Sequence, residues 1–533
     1  MEELRLFDAR VTVGRHCRWQ PGQGHTVTDL LEEMDHYAVA EALVLDTLGR
    51  ENHPAEGNRR VLEVVVGHPR LCPAWSALPA AGDDEQEAPE VFLRKMREHR
   101  VGALFLFPRQ YAFTLSPWCV DAFLEPLAEA RVPVFLCYDE VGPGPSPAWD
   151  ATDLEEVVAL CRRFPQLPVV VTERRIRRSQ RLLYRALDAC PNLRLELSGY
   201  WLHRGIEYIT AHWGAERLLY GSQWPAFGPH MTLTPLTTAE VGEADRRKIA
   251  GGNLRRLVEW CGPRPEVPVS FPPPADEYAA FGRSGRRPES LRFRDCHGHL
   301  GGRAAHYHLP DCTVDGIVRD LDRFGVDSVC VFSFAGVFSD EVHGNDVVAD
   351  AVRRYPERFV GFTLLNPHRG PQAMWQELER GAAMGMRGVK LIPHYQGYPP
   401  EGPSIEVACR WAHERRQVIL NHHWGSAAHL ERLVTRYPDA CYVTGHTTLE
   451  YAELMQRFSN LHVCSCPLVD PRACEQVVNV IGADRLLFGS DLQDLPIAWG
   501  LGPILFARIP APDKRLILGG NLTRILQTFS LRS

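Results

Sequence analysis

The amino-acid sequence repeats itself, and this repeat constrains the fold more than any other feature. The segment Arg217–Gln223 (RLLYGSQ) recurs as Arg485–Asp491 (RLLFGSD), and Gly251–Leu257 (GGNLRRL) recurs as Gly519–Ile525 (GGNLTRI). Both pairs are separated by 268 residues. A chain of 533 residues whose halves resemble each other predicts two domains of one architecture.

A weaker match near the start of each half and a proline-rich segment between the halves define the boundaries. Asp8-Ala-Arg-Val-Thr12 resembles Asp295-Cys-His-Gly-His299 at an offset of 287, so the first half carries loop insertions. Seven prolines lie in residues 263–290, a composition typical of an extended linker. We therefore predict domains at 1–262 and 291–533, joined by a linker at 263–290.

Short apolar segments rich in β-branched residues alternate with helical patterns in the second half. After a first strand that ends at Asp295–His299, the strand candidates are Ser328–Phe332, Phe359–Leu364, Gly388–Ile392, Val418–Asn421, Ala440–Thr444, Leu461–Ser465 and Leu486–Phe488. Apolar strands separated by helices favour a parallel sheet covered by helices. Eight such units fit a (β/α)8 barrel of roughly 250 residues, so we predict an α/β chain of two tandem TIM-like barrels. An open doubly wound sheet is the alternative, but the glycine-rich turn it would usually carry after strand 1 is absent.

Charge and hydropathy exclude several classes of protein. The net charge of -7 disfavours nucleic acid or an anionic membrane as partner, and the basic run at 174–178 is interpreted as a solvated helix start. No apolar run approaches the ~20 residues of a membrane span, and the chain begins Met-Glu-Glu, so we expect a cytoplasmic protein. The 15 cysteines are scattered singly apart from Cys464-Ser-Cys466, which predicts reduced thiols.

Polar residues follow the predicted strands of the second half in series. His297 and His299 share one face of the first strand, because side chains at i and i+2 point the same way. His422, His446 and Asp491 follow later strands. Since the carboxyl ends of barrel strands meet at one face, these groups predict a site for a catalytic divalent ion.

These motifs also carry a family resemblance, over about the length of the chain. The second half resembles the metal-dependent amidohydrolase superfamily, in the "amidohydrolase 2" branch that includes aminocarboxymuconate-semialdehyde decarboxylase-like enzymes. The matching stretches are Asp295–His299, Tyr355–Gly361, Gly388–Pro393, Ile419–Gly425 and Leu486–Asp491.

The resemblance implies a ligand set and catalytic roles. His297, His299, His422 and Asp491 would hold the metal, and His446 would be a metal neighbour or an acid/base and oxyanion-polarising residue. In binuclear members a carboxylated strand-4 lysine bridges two metals, and Lys390 occupies a strand-4 position here. We expect one ion, most simply Zn²⁺ with Mn²⁺ as the alternative, and a second ion only if Lys390 is carboxylated. Without carboxylation, Lys390 is either a charged group acting on the substrate or ligands or the partner of a buried carboxylate.

The first half lacks this ligand set. Aligning the repeats places Arg10 opposite His297, Thr12 opposite His299, Tyr138 opposite His422 and Gln223 opposite Asp491. Phe105 falls opposite Lys390, and Glu173 opposite His446. We predict a degenerate, metal-free barrel that is structural or binds a ligand, packs on the second barrel and leaves room for further oligomerisation.

Substrate-facing residues are harder to derive from sequence. Arg303 and Arg369 are candidates for pairing with a substrate carboxylate, with His394 nearby, and Trp424 either walls the pocket or packs between barrels. The loops after the first four strands also offer His306, Tyr307, His308, Asn345, Asn366, Tyr395 and Gln396.

The leading functional hypothesis is hydrolysis of a small amide, ester or lactone by a metal-bound hydroxide, with Asp491 as base. The alternatives are metal-dependent, non-oxidative decarboxylation of an aromatic or enoic acid, and a non-catalytic binding protein.

Overall fold

The computed structural model describes residues 4–17, 22–82, 84–139, 152–173, 179–303 and 308–529. It divides into two compact units, the first comprising residues 1–275 with 282–285 and the second 276–281 with 286–533. The segment interpreted as a linker contains a helix, Glu277–Ser284, whose residues divide between the units. The basic run at 174–178 and the loop candidates His306 and Tyr307 lie outside the described residues.

The first unit contains a parallel sheet of eight strands within its described residues, and each strand pairs with the next along the chain. The strands are Leu6–Val13 (β1), Val39–Asp46 (β2), Leu71–Ala77 (β3), Ala103–Leu106 (β4), Val134–Cys137 (β5), Val169–Thr172 (β6), Leu193–Glu196 (β7) and Leu218–Leu219 (β8). Apolar residues fill the interior, with Phe7, Phe105 and Phe135 fully buried.

The second unit repeats this order within its described residues. Its strands are Phe293–Leu300 (β9), Val326–Ser333 (β10), Phe359–Leu364 (β11), Gly388–Leu391 (β12), Val418–Asn421 (β13), Cys441–Thr444 (β14), Leu461–Cys464 (β15) and Leu486–Leu487 (β16). These bounds match the predicted strands or differ from them by one or two residues at their ends. The predicted class of two tandem (β/α)8 barrels is confirmed.

Equivalent backbone contacts join the first and last strands of each unit. Val11 forms a parallel bridge with Trp224, and Gly298 forms the matching bridge with Leu492. The amide of Ala9 donates to Tyr220 O at 2.9 Å, and that of Cys296 donates to Phe488 O at 2.8 Å. Both units therefore close in the same way.

Helices connect successive strands and also follow the last strand of each unit. In the first unit they are Val27–Tyr37, Leu48–Glu51, Pro54–Val65, Pro89–Glu98, Pro117–Glu129, Leu154–Arg163, Gln180–Ala189, Gly205–Trp213, His230–Thr238, Glu243–Arg247 and Asn253–Val258. In the second they are Val314–Phe324, Phe334–Phe338, Glu341–Arg354, Pro371–Ala383, Pro393–Gln396, Pro403–Arg415, Ala427–Arg436, Ala452–Arg457, Ala473–Ile481, Ile497–Leu505, Ala511–Arg515 and Asn521–Thr528. A search of the described residues for a helix long and apolar enough to cross a bilayer finds none.

Side-chain caps fix where several of these helices begin. Thr26 and Asp29 form a reciprocal capping box at the first helix, and the Asp340 carboxylate accepts from the amides of Val342 and His343. Such caps satisfy amides that have no partner inside the helix. They fix where each helix starts after the preceding strand and loop.

Candidate metal centre

Two imidazoles and a carboxylate converge at the carboxyl ends of β9 and β16. His299 Nε2 lies 2.8 Å and His297 Nε2 3.5 Å from Asp491 Oδ1. One ligand atom from each of the three residues lies within 4.8 Å of the others, and all three residues are buried. Alternation along β9 places both histidines on the face that meets Asp491.

Asp295 fixes the two strand ends relative to each other. Its carboxylate accepts hydrogen bonds from the amide of His297 at 2.9 Å and the amide of Ser490 at 3.1 Å, and also from the Ser490 hydroxyl. The amide of Asp491 in turn donates to His297 O at 2.9 Å. Burial raises the pKa of Asp295 to about 7. The aspartate of the Asp-x-His-x-His motif thus holds the ligands in register, a role that its place two residues before His297 did not reveal.

The protonation of these groups suits a divalent cation. His297 Nδ1 lies 3.0 Å from Gly445 O and donates to it, which leaves Nε2 as the acceptor nitrogen. That Nε2 has no hydrogen-bond partner among the described residues and faces Asp491. Burial acts to raise the pKa of Asp491, but the hydrogen bond from His299 and the charge of the nearby imidazoles hold that pKa well below its usual range. An ionised carboxylate beside two imidazole nitrogens is a donor set that Zn²⁺ takes.

His422 and His446 lie beside this group. The His422 ring centroid is 4.3 Å from that of His446 and 5.5 Å from that of His297. Both nitrogens of His422 are buried without a hydrogen-bond partner in the described part of the chain. Neither nitrogen lies within 4.8 Å of two other candidate ligand atoms that are equally close to each other. His446 instead groups with Cys466 and Asp491. Sequence reasoning did not assign Cys466, whose signal was the paired Cys464-Ser-Cys466.

Lys390 is fully buried on β12, next to the histidines. Its Nζ lies 4.1 Å from the Phe332 ring centroid and lacks a hydrogen-bond partner among the described residues. Burial lowers the pKa of Lys390 to about 7, although the Asp491 carboxylate acts to raise it. A buried ammonium is costly without a counter-ion, so an anion that enters the site would stabilise the charged form of Lys390.

Aromatic rings line the approach to His299. The Phe334 ring stacks on the imidazole at 4.5 Å between centroids, and Phe332 meets the same imidazole edge-on at 4.5 Å. Phe338 and Tyr395 extend this group of rings outward, since their centroids are 6.0 Å apart and both residues are about half exposed. These residues form a cluster of aromatic rings beside His299.

The four predicted substrate-contacting residues occupy different surroundings. His394 lies in the histidine cluster, with its ring 5.3 Å from that of His422. Arg369 pairs instead with Glu341 at 2.9 Å, and Arg303 is exposed. Trp424 is fully buried, and its ring packs edge-on against that of Tyr442. The Tyr442 hydroxyl donates to the carbonyls of Leu433 and Tyr437, near the end of the helix Ala427–Arg436. The structure therefore brings only His394 to the histidine cluster.

The equivalent region of the first unit is built from ion pairs. Arg10, opposite His297, is buried with Nη2 3.2 Å from Asp139 Oδ1 and Nη1 3.7 Å from Glu196 Oε2. Arg50 pairs with the other oxygen of Asp139 at 2.7 Å. Burial acts to raise the pKa of Asp139, but the two guanidinium groups hold it well below its usual range. A fixed side-chain cation thus lies among carboxylates where the second unit gathers imidazoles.

Comparison with known proteins gives one family. The family model described as "Amidohydrolase" matches residues 19–260 and again residues 295–527. No curated protein matches the chain significantly.

Several solved structures resemble about half of this chain. They include a 5-carboxyvanillate decarboxylase from Novosphingobium aromaticivorans with bound manganese (16% identity, 45% of this chain and 98% of that chain, TM-score 0.37). A 2,6-dihydroxybenzoate decarboxylase from Rhizobium follows (15%, 44% and 99%, TM-score 0.35). An uncharacterised TIM-barrel protein from Bordetella bronchiseptica also matches (19%, 49% and 100%, TM-score 0.38).

Proposed function

This chain belongs to the amidohydrolase family, whose model matches both of its halves, and on that premise we propose that the second barrel is a metal-dependent hydrolase of a small amide, ester or lactone. As a member of this family the chain is an enzyme. The observation that carries the specific proposal is the convergence of His297, His299 and Asp491 on one buried point. The domain boundaries at 262 and 291 and a non-catalytic first barrel are part of this proposal.

In this proposal the metal ligands and the base lie on β9 and just after the ends of β13 and β16. His297, His299 and Asp491 would hold the ion, with His422 beside them as a candidate fourth donor. A divalent ion in such a site lowers the pKa of a coordinated water toward neutrality. Asp491 accepts a proton from the attacking water and returns it to the leaving group.

Two further groups act on the substrate in this proposal. Lys390, buried without a partner in the described part of the chain, stabilises negative charge that develops on the substrate oxygen. His446, whose pKa burial lowers to about 4, is neutral near pH 7 and can donate a hydrogen bond from one nitrogen. The remaining predicted contacts, Arg303, Arg369, His394 and Trp424, stay as proposals for substrate binding, with His394 the best placed.

A second candidate is non-oxidative decarboxylation of an aromatic or enoic acid. The cluster of aromatic rings formed by Phe332, Phe334, Phe338 and Tyr395 favours it, because an aromatic substrate packs well against such rings, either stacked or edge-on. The unpaired Lys390 ammonium would then meet the substrate carboxylate. In that reaction Asp491 would hold metal or substrate, and a solvent proton would reach carbon.

Isotopic solvents separate the two reactions. Purified enzyme loaded with Zn²⁺ or Mn²⁺ is screened against lactones, amides, esters and aromatic acids. A hydrolase run in H₂¹⁸O places one ¹⁸O in its acid product, whereas a decarboxylase releases CO₂ and incorporates deuterium at carbon in D₂O. Turnover that persists at the wild-type rate in Asp491→Ala would show that the proposed centre is not the catalytic one.

A further inference from the structure

A cysteine and a histidine form a second group of metal-ligating atoms beside the first. His446, Cys466 and Asp491 each place one ligand atom within 4.8 Å of the other two. Ligands of a tetrahedral zinc ion at 2.0–2.3 Å lie roughly 3.3–3.8 Å apart, so small side-chain rotations bring these atoms to bonding positions. Asp491 belongs to both groups, and its two oxygens permit one carboxylate to serve two neighbouring ions.

Backbone contacts hold the two loop ends of this second group together. The amide of Thr447, next to His446, donates to Cys466 O at 2.8 Å, and the Thr447 hydroxyl donates to Cys464 O at 2.8 Å. Cys466 is 2% exposed. The segment after β14 is thus fixed against the segment after β15, which keeps the backbones of His446 and Cys466 adjacent.

We propose that Cys466 is a metal ligand, and that His446, Cys466 and Asp491 form a second cation position adjoining the one made by His297, His299 and Asp491. This inference rests on the proposed function in that both positions share Asp491. A thiolate is a soft donor, so the second position prefers Zn²⁺, Co²⁺ or Cd²⁺ over Mn²⁺ or Mg²⁺. Binding there releases the thiol proton, because only the thiolate coordinates.

Cobalt titration of the full chain tests this directly. Metal-free protein is titrated with Co²⁺, and we expect visible bands of the bound ion together with a near-ultraviolet sulfur-to-cobalt charge-transfer band, saturating at about two equivalents per chain. In Cys466→Ser the charge-transfer band disappears while visible bands from the first position remain. The matched variant Cys441→Ser, which removes a buried thiol on β14 outside the group, keeps the charge-transfer band.

A measurement on the unaltered protein avoids dependence on the folding of a variant. X-ray absorption of the chain loaded with two equivalents of Zn²⁺ should show a sulfur scatterer at ~2.3 Å beside nitrogen and oxygen at ~2.0–2.1 Å. Bound zinc with nitrogen and oxygen neighbours only, or a charge-transfer band that survives in Cys466→Ser, would overturn the role of Cys466 and leave the proposed function standing. A chain that binds neither Co²⁺ nor Zn²⁺ would overturn both.

Discussion

Asp491 combines an unusual backbone with a central position among the ligands. Its φ of 60° lies in the left-handed region, which few residues other than glycine adopt, and this turn aims the carboxylate at His297 and His299. Asp491→Asn preserves the shape of the side chain and removes its negative charge. We expect turnover to fall by ~10²–10⁴, the usual range for loss of a general base. Steady-state kinetics on an active substrate, with metal content assayed in the same sample, measures this.

The control for this variant is an aspartate in the same half of the chain but away from the site. Asp484, whose side chain is half exposed and pairs with Arg485, serves as Asp484→Asn. Turnover within twofold of wild type is expected for it. Near-normal turnover and full metal in Asp491→Asn would show that another group is the base.

His462 is a buried imidazole whose protonation opposes folding. Burial lowers the pKa of His462 on β15 to about 3, below the ~6.5 of an unfolded chain. Between these values the unfolded state binds the proton and the folded state does not, so the stability that the neutral ring confers is present above pH 6.5 and lost as the pH falls toward 3. At pH 5 this loss is about 2 kcal/mol.

Urea unfolding at pH 7 and pH 5 measures that dependence. His462→Gln keeps an amide donor and does not titrate, so its free energy of unfolding should fall less between the two pH values than that of the wild type, by about 2 kcal/mol. Equal losses in the two proteins would mean that His462 is protonated in the folded state as readily as in the unfolded state.

At the scale of elements, the sequence predicts strands better than it predicts how their ends meet. Continuous apolar runs such as Val418–Asn421 appear as strands with the expected bounds. A strand that is buried on both faces consists almost entirely of apolar residues, and this pattern is easily recognised in the sequence. The helix Glu277–Ser284 was not expected, since the prolines around it dominate the composition. Distances across the barrel are not local properties. Thus the positions of His297 and Asp491 at predicted strand ends indicated both residues, but not that Cys466 approaches Asp491 or that Arg369 pairs with Glu341.

The Gly-Gly-Asn repeats act as matched anchors for the last strands. Asn521 Nδ2 donates to Ala483 O at 2.8 Å and Leu486 O at 2.9 Å, and Asn253 Nδ2 donates to Ala215 O and Leu218 O at 2.8 Å each. Replacing either asparagine by alanine leaves two buried carbonyls without this donor, which costs about 2–6 kcal/mol. We expect both variants to melt at lower temperature.

Only one member of this pair should affect the metal. Leu486 begins β16, which leads to Asp491, whereas Leu218 begins β8, which leads to Gln223. Asn521→Ala should therefore weaken metal affinity, and Asn253→Ala should leave it unchanged. Calorimetry measures the stability of the two variants, and a metal-binding titration measures their affinity for the ion. Equal metal affinity in both variants would show that the anchoring of β16 by Asn521 does not affect the metal site.

At the scale of the whole molecule, one architecture carries two electrostatic designs. Gln223 occupies the place of Asp491 with nearly the same backbone, φ 59° against 60°, so the repeat preserved the turn while the charge changed. In the first unit the guanidinium of Arg10 lies among Asp139 and Glu196, and a divalent ion placed there would be repelled by it. The same scaffold therefore gathers candidate metal ligands in one unit and supplies a fixed cation in the other.

The pair Gln223 and Asp491 provides the test of that asymmetry in the intact chain. Elemental analysis of dialysed protein should find tightly held divalent metal in the wild type and in Gln223→Ala, and nearly none in Asp491→Ala, because Asp491 contributes to both groups of ligand atoms. Both variants remove one buried polar side chain from the same point of the repeat, so a general loss of folding would affect them alike. Metal lost from Gln223→Ala but kept by Asp491→Ala would place the ion in the first unit and refute its assignment as the metal-free half.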